Sequence, residues 1–125
     1  MCGEFYRVEI YYIMPGEAIG SEMYCGRPGI IVSNEMNNLY SRTVEVVFLT
    51  TRQKKPLPTH VRINSAKYPS TALCEQITTV AKERLAGYVG RLSPLEEQAL
   101  NAALMRSIDL QFERGGILEI SSVDG

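Results

Sequence analysis

Apolar residues in this chain come in short runs at short spacing, each cut off by proline, glycine or asparagine, and one late segment alone carries the signals of a helix start. Runs this short build strands that pair antiparallel around a common core, not a helical bundle or a regular strand-helix alternation. Phe5 to Ile13 (FYRVEIYYI) sets Val8, Ile10 and Tyr12 against Arg7, Glu9 and Tyr11, which is the period of a half-buried strand. Met14-Pro15-Gly16 breaks it, and Gly16, Gly20 and Gly26 mark a long connection. Ile30-Ile31-Val32 and Thr43 to Leu49 (TVEVVFL) read as strands with at least one buried face, joined by an Asn-rich loop over Ser33 to Arg42. Pro56-Leu57-Pro58 is extended or turning, because neither proline can donate to a ladder, and Thr59 to Ile63 follows as a short strand. Thr71 to Ile77 and Leu85 to Val89 are further strand candidates, with a helical turn near Thr79 to Glu83.

The helix begins at Ser93-Pro94-Leu95-Glu96. Ser93 can cap the free amides, Pro94 suits the first helical position, and Glu96 stands where a capping box needs it. Leu100, Leu104 and Ile108 form a stripe flanked by Leu95, Ala99 and Ala103, with Glu96 and Ser107 interrupting that face. Gly115-Gly116 follows, and Ile117 to Ile120 reads as an added strand. The fold class is therefore mainly β with helices: a small antiparallel barrel or curled sheet with a C-terminal helix packed on it.

The 125 residues suffice for one core. No stretch approaches the roughly 18 apolar residues of a membrane span, and Met1-Cys2-Gly3-Glu4 opens no signal peptide, so a cytoplasmic protein without a membrane partner is expected. Cys2, Cys25 and Cys74 form neither a disulfide framework nor a zinc knuckle. Nucleotide-fold and hydrolase-fold motifs are absent, and a single histidine builds no His-rich metal site. The 13 basic and 14 acidic residues nearly cancel, yet they are unevenly placed. From Val46 to Cys74 there is no carboxylate, while Arg52, Lys54, Lys55, His60, Arg62 and Lys67 lie there; from Leu92 onward acidic residues dominate. One face can attract an anion while another repels it.

Two polar groups at strand ends carry what chemistry the residues offer. Gly26-Arg27-Pro28-Gly29 is a charged turn ahead of a buried strand, and Thr50-Thr51 ends the next long one. Arg27 presents a fork of donors suited to a phosphate and is a poor base, while Thr50 adds a hydroxyl donor. Equally, the arginine can pin its own loop and the threonines can serve strand propensity.

Gly20-Ser21-Glu22, Arg27-Pro28 ahead of Ile30-Ile31-Val32-Ser33-Asn34, and Thr43 to Thr50 occur in one order. Leu57-Pro58-Thr59-His60-Val61, Cys74 to Val80, Lys82-Glu83-Arg84-Leu85 and Gly90-Arg91-Leu92-Ser93 continue it. In that order and spacing the chain resembles the MazF/PemK family of toxins from about Tyr6 to Leu110. The resemblance implies a toxin domain over residues 1–110 and leaves residues 111–125 as an extension with no family reading. It further implies a small SH3-like β-barrel, a homodimer, and sequence-specific cleavage of single-stranded RNA, often mRNA, without metal or other cofactor. A cognate antitoxin, with an acidic tail competing for the basic face, would hold the toxin inactive. By resemblance Arg27 and Thr50 are catalytic, and Glu22 either positions Arg27 or acts as a base. Arg52, Lys54, Lys55, His60, Tyr24 and Thr51 are the expected RNA contacts, with Tyr40 a further residue able to stack a base. Two departures stand out. Thr78 occupies a place where the family commonly carries arginine, and the short connection from Thr50 to Leu57 makes Thr51 a possible substitute for Thr50. Rival readings are a non-enzymatic barrel toxin that binds a protein target such as gyrase, and a barrel that binds RNA without cleaving it.

Overall fold

The structure is a computed structural model and describes residues 4–15, 26–53 and 55–110. The short apolar runs become six strands: β1 (Glu9–Ile13), β2 (Arg27–Ile31), β3 (Thr43–Thr50), β4 (His60–Ile63), β5 (Ser70–Ala81) and β6 (Leu85–Arg91). Helix α1 (Glu35–Tyr40) follows β2, a 3-10 turn (Lys82–Arg84) joins β5 to β6, and helix α2 (Pro94–Ser107) comes last. The strands form one antiparallel sheet in the order β4-β5-β3-β2-β1-β6. It curls until its outer parts nearly meet: a Cβ placed on Gly90 of β6 would lie 2.6 Å from the carbonyl oxygen of Ser65, just beyond β4. Only glycine admits so close a backbone approach. β4 and β6 share no ladder, so the sheet is barrel-like without closing.

Because side chains alternate across a strand, the sheet has two apolar faces. One gathers Ile10, Ile30, Val47, Leu49, Val61, Ile63, Ala72 and Cys74, and Leu100 and Ala103 of α2 cover it. Burial pushes the Cys74 thiol up to about 12, so it is a packing group. The other face gathers Ile13, Ile31, Val44, Val46, Val80 and Leu85, with Phe5, Tyr11 and Phe48 packed against them. β3 contributes to both, which is why its sequence reads as a nearly continuous apolar run.

Four local expectations are corrected. The Asn-rich segment is not wholly loop, since Asn34 caps α1 by accepting from the Asn37 amide and the buried Asn38 bonds Ser33. The Gly26-Arg27-Pro28-Gly29 turn is mostly strand: Arg27, Pro28 and Gly29 pair with Ile13, Tyr12 and Tyr11. Pro28 lacks an N–H but precedes the first registered pair with β3, Gly29 with Phe48. The first strand begins only at Glu9, because Arg7 and Val8 make a turn in which Glu9 N–H donates to the Tyr6 carbonyl. Val8 there takes φ 66, an unfavourable conformation for a β-branched residue, offset by full burial and by its amide bonding the Ile31 carbonyl. Finally, α2 is rotated relative to the expected stripe. Leu100 and Ala103 are buried, whereas Leu95 and Ile108 are exposed.

That rotation brings Glu96 toward the sheet. Its carboxylate accepts from the Asn64 and Ser65 amides, the Ser65 hydroxyl and the Ser93 amide, while Ser93 caps the Glu96 amide. Burial raises its pKa, but the bonds from Ser65, Ser93 and Asn64 outweigh that and leave it below the ordinary carboxylate value. Glu96→Ala is expected to cost about 2 kcal/mol, roughly 8 °C in Tm. A depressed carboxyl stabilises fully above its unfolded value, about 4.3, and loses that contribution as pH falls through the lower folded value. The Tm gap between wild type and variant, measured calorimetrically, therefore narrows from pH 6 to pH 3.

Candidate active site

Strand register places the two leading candidates side by side. Gly29 pairs with Phe48, Ile30 with Val47 and Ile31 with Val46, so continuing the register sets Arg27, the first residue of β2, opposite Thr50, the last of β3. Residues directly opposite in an antiparallel pair share a face, here the face of Tyr11, Ile13 and Phe48. On the far side of β3, Thr50 pairs with Thr71 of β5, and Thr71 pairs with Arg62 of β4. One row thus runs Arg27, Thr50, Thr71, Arg62 across four strands, at the polar end of an otherwise apolar face.

Each catalytic candidate is oriented. The Arg27 guanidinium lies over the Phe48 ring, 4.8 Å from its centroid. Stacking occupies the plane of the fork and leaves its edge N–H donors free for an anion. The Thr50 hydroxyl accepts from the Arg52 amide at 3.1 Å, so its own proton is free to donate outward. A cleft of about 450 Å³ opens beside Thr50, lined by Thr51, Arg52, Gln53, Arg62, Pro69, Ser70 and Thr71 as well. Among the described residues no carboxylate lines it. Phe48→Leu keeps most of the apolar packing and removes the π face. It is expected to lower kcat about two- to tenfold in single-turnover assays with a small drop in Tm from lost packing, while Phe48→Tyr stays near wild type.

Of the other candidates, Thr51 and Arg52 line the cleft next to Thr50, and Lys55 is exposed on the connection that follows. Glu22, Tyr24 and Lys54 lie outside the described residues. Tyr40 is at the end of α1 and 75% exposed. His60 shares the face of Arg62, two residues along β4, but its side chain is only 9% exposed and its Nε2 lies 3.1 Å from Glu75. Glu75 also accepts from Thr59. Burial raises the Glu75 pKa, and the bonds from Thr59, its own amide and His60 bring the net value below ordinary. His60 therefore faces Glu75 rather than open solvent. Thr78, opposite Val46, donates to the Gln76 carbonyl of its own strand. Sequence reasoning placed Arg62 in a charge run and passed over Thr71; only register shows that both join the row of Arg27 and Thr50.

Residues 6–108 match the family described as PemK-like, MazF-like toxin of type II toxin-antitoxin system. The chain belongs to this toxin family. Among curated relatives of the MazF/PemK chain, endoribonuclease EndoA of Bacillus subtilis (strain 168) is 33% identical over 109 residues, covering 83% of this chain and 94% of the relative. An endoribonuclease solved in complex with its cognate antitoxin, from a mycobacterial species, superposes with a TM-score of 0.74 at 27% identity. It covers 86% of this chain and 98% of that one. A second mycobacterial endoribonuclease gives a TM-score of 0.73 at 25% identity, covering 89% and 97%.

Proposed function

We propose that this MazF/PemK chain is the endoribonuclease toxin of a type II toxin-antitoxin pair, cutting single-stranded RNA at short sequences in the cytoplasm. The observation that carries the reading is the β2–β3 register, which when continued sets a stacked, exposed Arg27 opposite a donor-oriented Thr50 on one face. Family membership and the endoribonuclease relatives support it.

The ribose 2′-oxygen gives up its proton and attacks the adjacent phosphorus, the P–O5′ bond breaks as the leaving oxygen takes up a proton, and the products are a 2′,3′-cyclic phosphate and a free 5′-hydroxyl. Negative charge grows on the non-bridging oxygens as the new bond forms. Arg27 and Thr50 donate to those oxygens from fixed positions, so little reorganisation is needed at the moment of reaction. Arg27 keeps its proton throughout and is no base. Glu22 is the carboxylate offered by the family resemblance to take the 2′-proton or to position Arg27. No metal enters this scheme. Arg52 and Lys55 attract the RNA backbone beside the cleft, joined by Lys54 and, for base stacking, Tyr24. A homodimer and an acidic antitoxin segment that occupies the basic face complete the proposal; the antitoxin complex of a relative supports the second.

The test is a single-site RNA with one 2′-deoxyribose at the cleavage position. The reading requires that this substitution abolish cutting while binding persists. Undiminished cleavage would rule out 2′-oxygen attack.

A further inference from the structure

We propose that Arg62 is a second phosphate-binding residue of this site, holding an RNA phosphate adjacent to the scissile one that Arg27 and Thr50 hold. The inference rests on the ribonuclease reading above and extends it to a residue which that reading leaves idle.

Arg62 pairs with Thr71, Thr71 with Thr50, and Thr50 continues the register to Arg27, so all four project from the same face. Strands lie about 4.8 Å apart, which puts Arg27 one step from Thr50 and Arg62 two steps away on the other side, about 14 Å from Arg27 along the sheet. A phosphate seated between Arg27 and Thr50 leaves Arg62 facing the next stretch of backbone, across the Thr71 hydroxyl. The cleft beside Thr50 runs along this path and has Arg62 in its wall. Arg62 is exposed, and among the described residues no carboxylate pairs with it. Its neighbours Val61 and Ile63 are buried in the core, so the cation stands on a fixed strand. A guanidinium on a fixed strand, beside a cleft lined by no carboxylate among the described residues and beyond reach of the first phosphate, suits a ligand carrying phosphates in series. Single-stranded RNA is that ligand.

The experiment uses the full chain, a single-site RNA oligonucleotide, and versions of it with one neutral methylphosphonate at each phosphate flanking the cut. Arg62→Ala is expected to raise KM about tenfold with kcat within about twofold, and to lower the slope of log Kd against log salt by about 0.7, measured on the 2′-deoxy analogue. One flanking methylphosphonate should weaken wild type by a similar factor and leave Arg62→Ala unaffected; the others should weaken both. Arg62→Lys recovers part of the loss, and Arg62→Glu deepens it while Tm holds. Unchanged KM and salt slope in Arg62→Ala, or equal sensitivity of both proteins to every methylphosphonate, would overturn the role of Arg62 alone. An inert wild type overturns the ribonuclease reading and this inference with it.

Discussion

Arg27→Ala lowers kcat/KM on a single-site RNA by about 10²- to 10³-fold, with Tm unchanged. The size follows from what the guanidinium does. In the proposed mechanism it meets charge that develops only as the 2′-oxygen bonds to phosphorus, so its loss falls mainly on kcat and much less on KM. Stability is spared because the side chain is exposed and its strand is held by backbone pairing to β1 and β3. Arg27→Lys keeps a charge but loses the planar fork and the flat stacking on Phe48, and regains less than a tenth of the activity. Single-turnover rates with saturating enzyme separate the chemical step from binding. A tenfold or smaller loss in Arg27→Ala would mean that the scissile phosphate sits elsewhere.

Thr50→Val is the second large effect, about 10²-fold in kcat. Valine preserves shape and strand propensity while deleting the outward-donating hydroxyl. It also deprives the Arg52 amide of its acceptor, loosening the turn that leads into the basic connection. Thr50→Ser retains the donor and stays within about tenfold of wild type. Thr51→Val, one residue past the strand and outside the row shared with Arg27, changes kcat by less than about threefold. A severe Thr51 variant beside a mild Thr50 variant would transfer the catalytic hydroxyl to Thr51.

What the sequence disclosed depended on whether the determining interaction was local. The start of α2 was legible because Ser93 and Glu96 satisfy each other within a single turn and Pro94 suits its first position. Its buried face was not. Glu96 looked like an interruption in the apolar stripe, and only the amides of Asn64 and Ser65, distant in sequence, show why a carboxylate faces the sheet. α1 was missed although its supports are local, because the Asn34 cap and the buried Ser33–Asn38 pair are made by serine and asparagine, which read equally as loop residues in a six-residue segment. β5 proved longer than expected because its pairing with β3 shifts register between Val47 and Leu49, which erases any simple alternation. The turn at Val8 carried no signal at all, since a β-branched residue with positive φ is tolerated here through burial and the bond from its amide to the distant Ile31 carbonyl. The site divides in the same way. Arg27 and Thr50 are site candidates through motif resemblance, while the placement of Arg62 and Thr71 in their row needed the strand register.

The most direct test of the account is the chemistry of the product ends. Purified antitoxin-free protein is incubated with a long single-stranded RNA in EDTA, beside Arg27→Ala, and the fragment ends are identified by mass spectrometry. Discrete cuts bearing 2′,3′-cyclic phosphate and 5′-hydroxyl ends are expected, forming about 10²-fold or more slowly in the variant. Fragments with 5′-phosphate and 3′-hydroxyl ends, or cuts that form within about tenfold of the wild-type rate in Arg27→Ala, would contradict this mechanism.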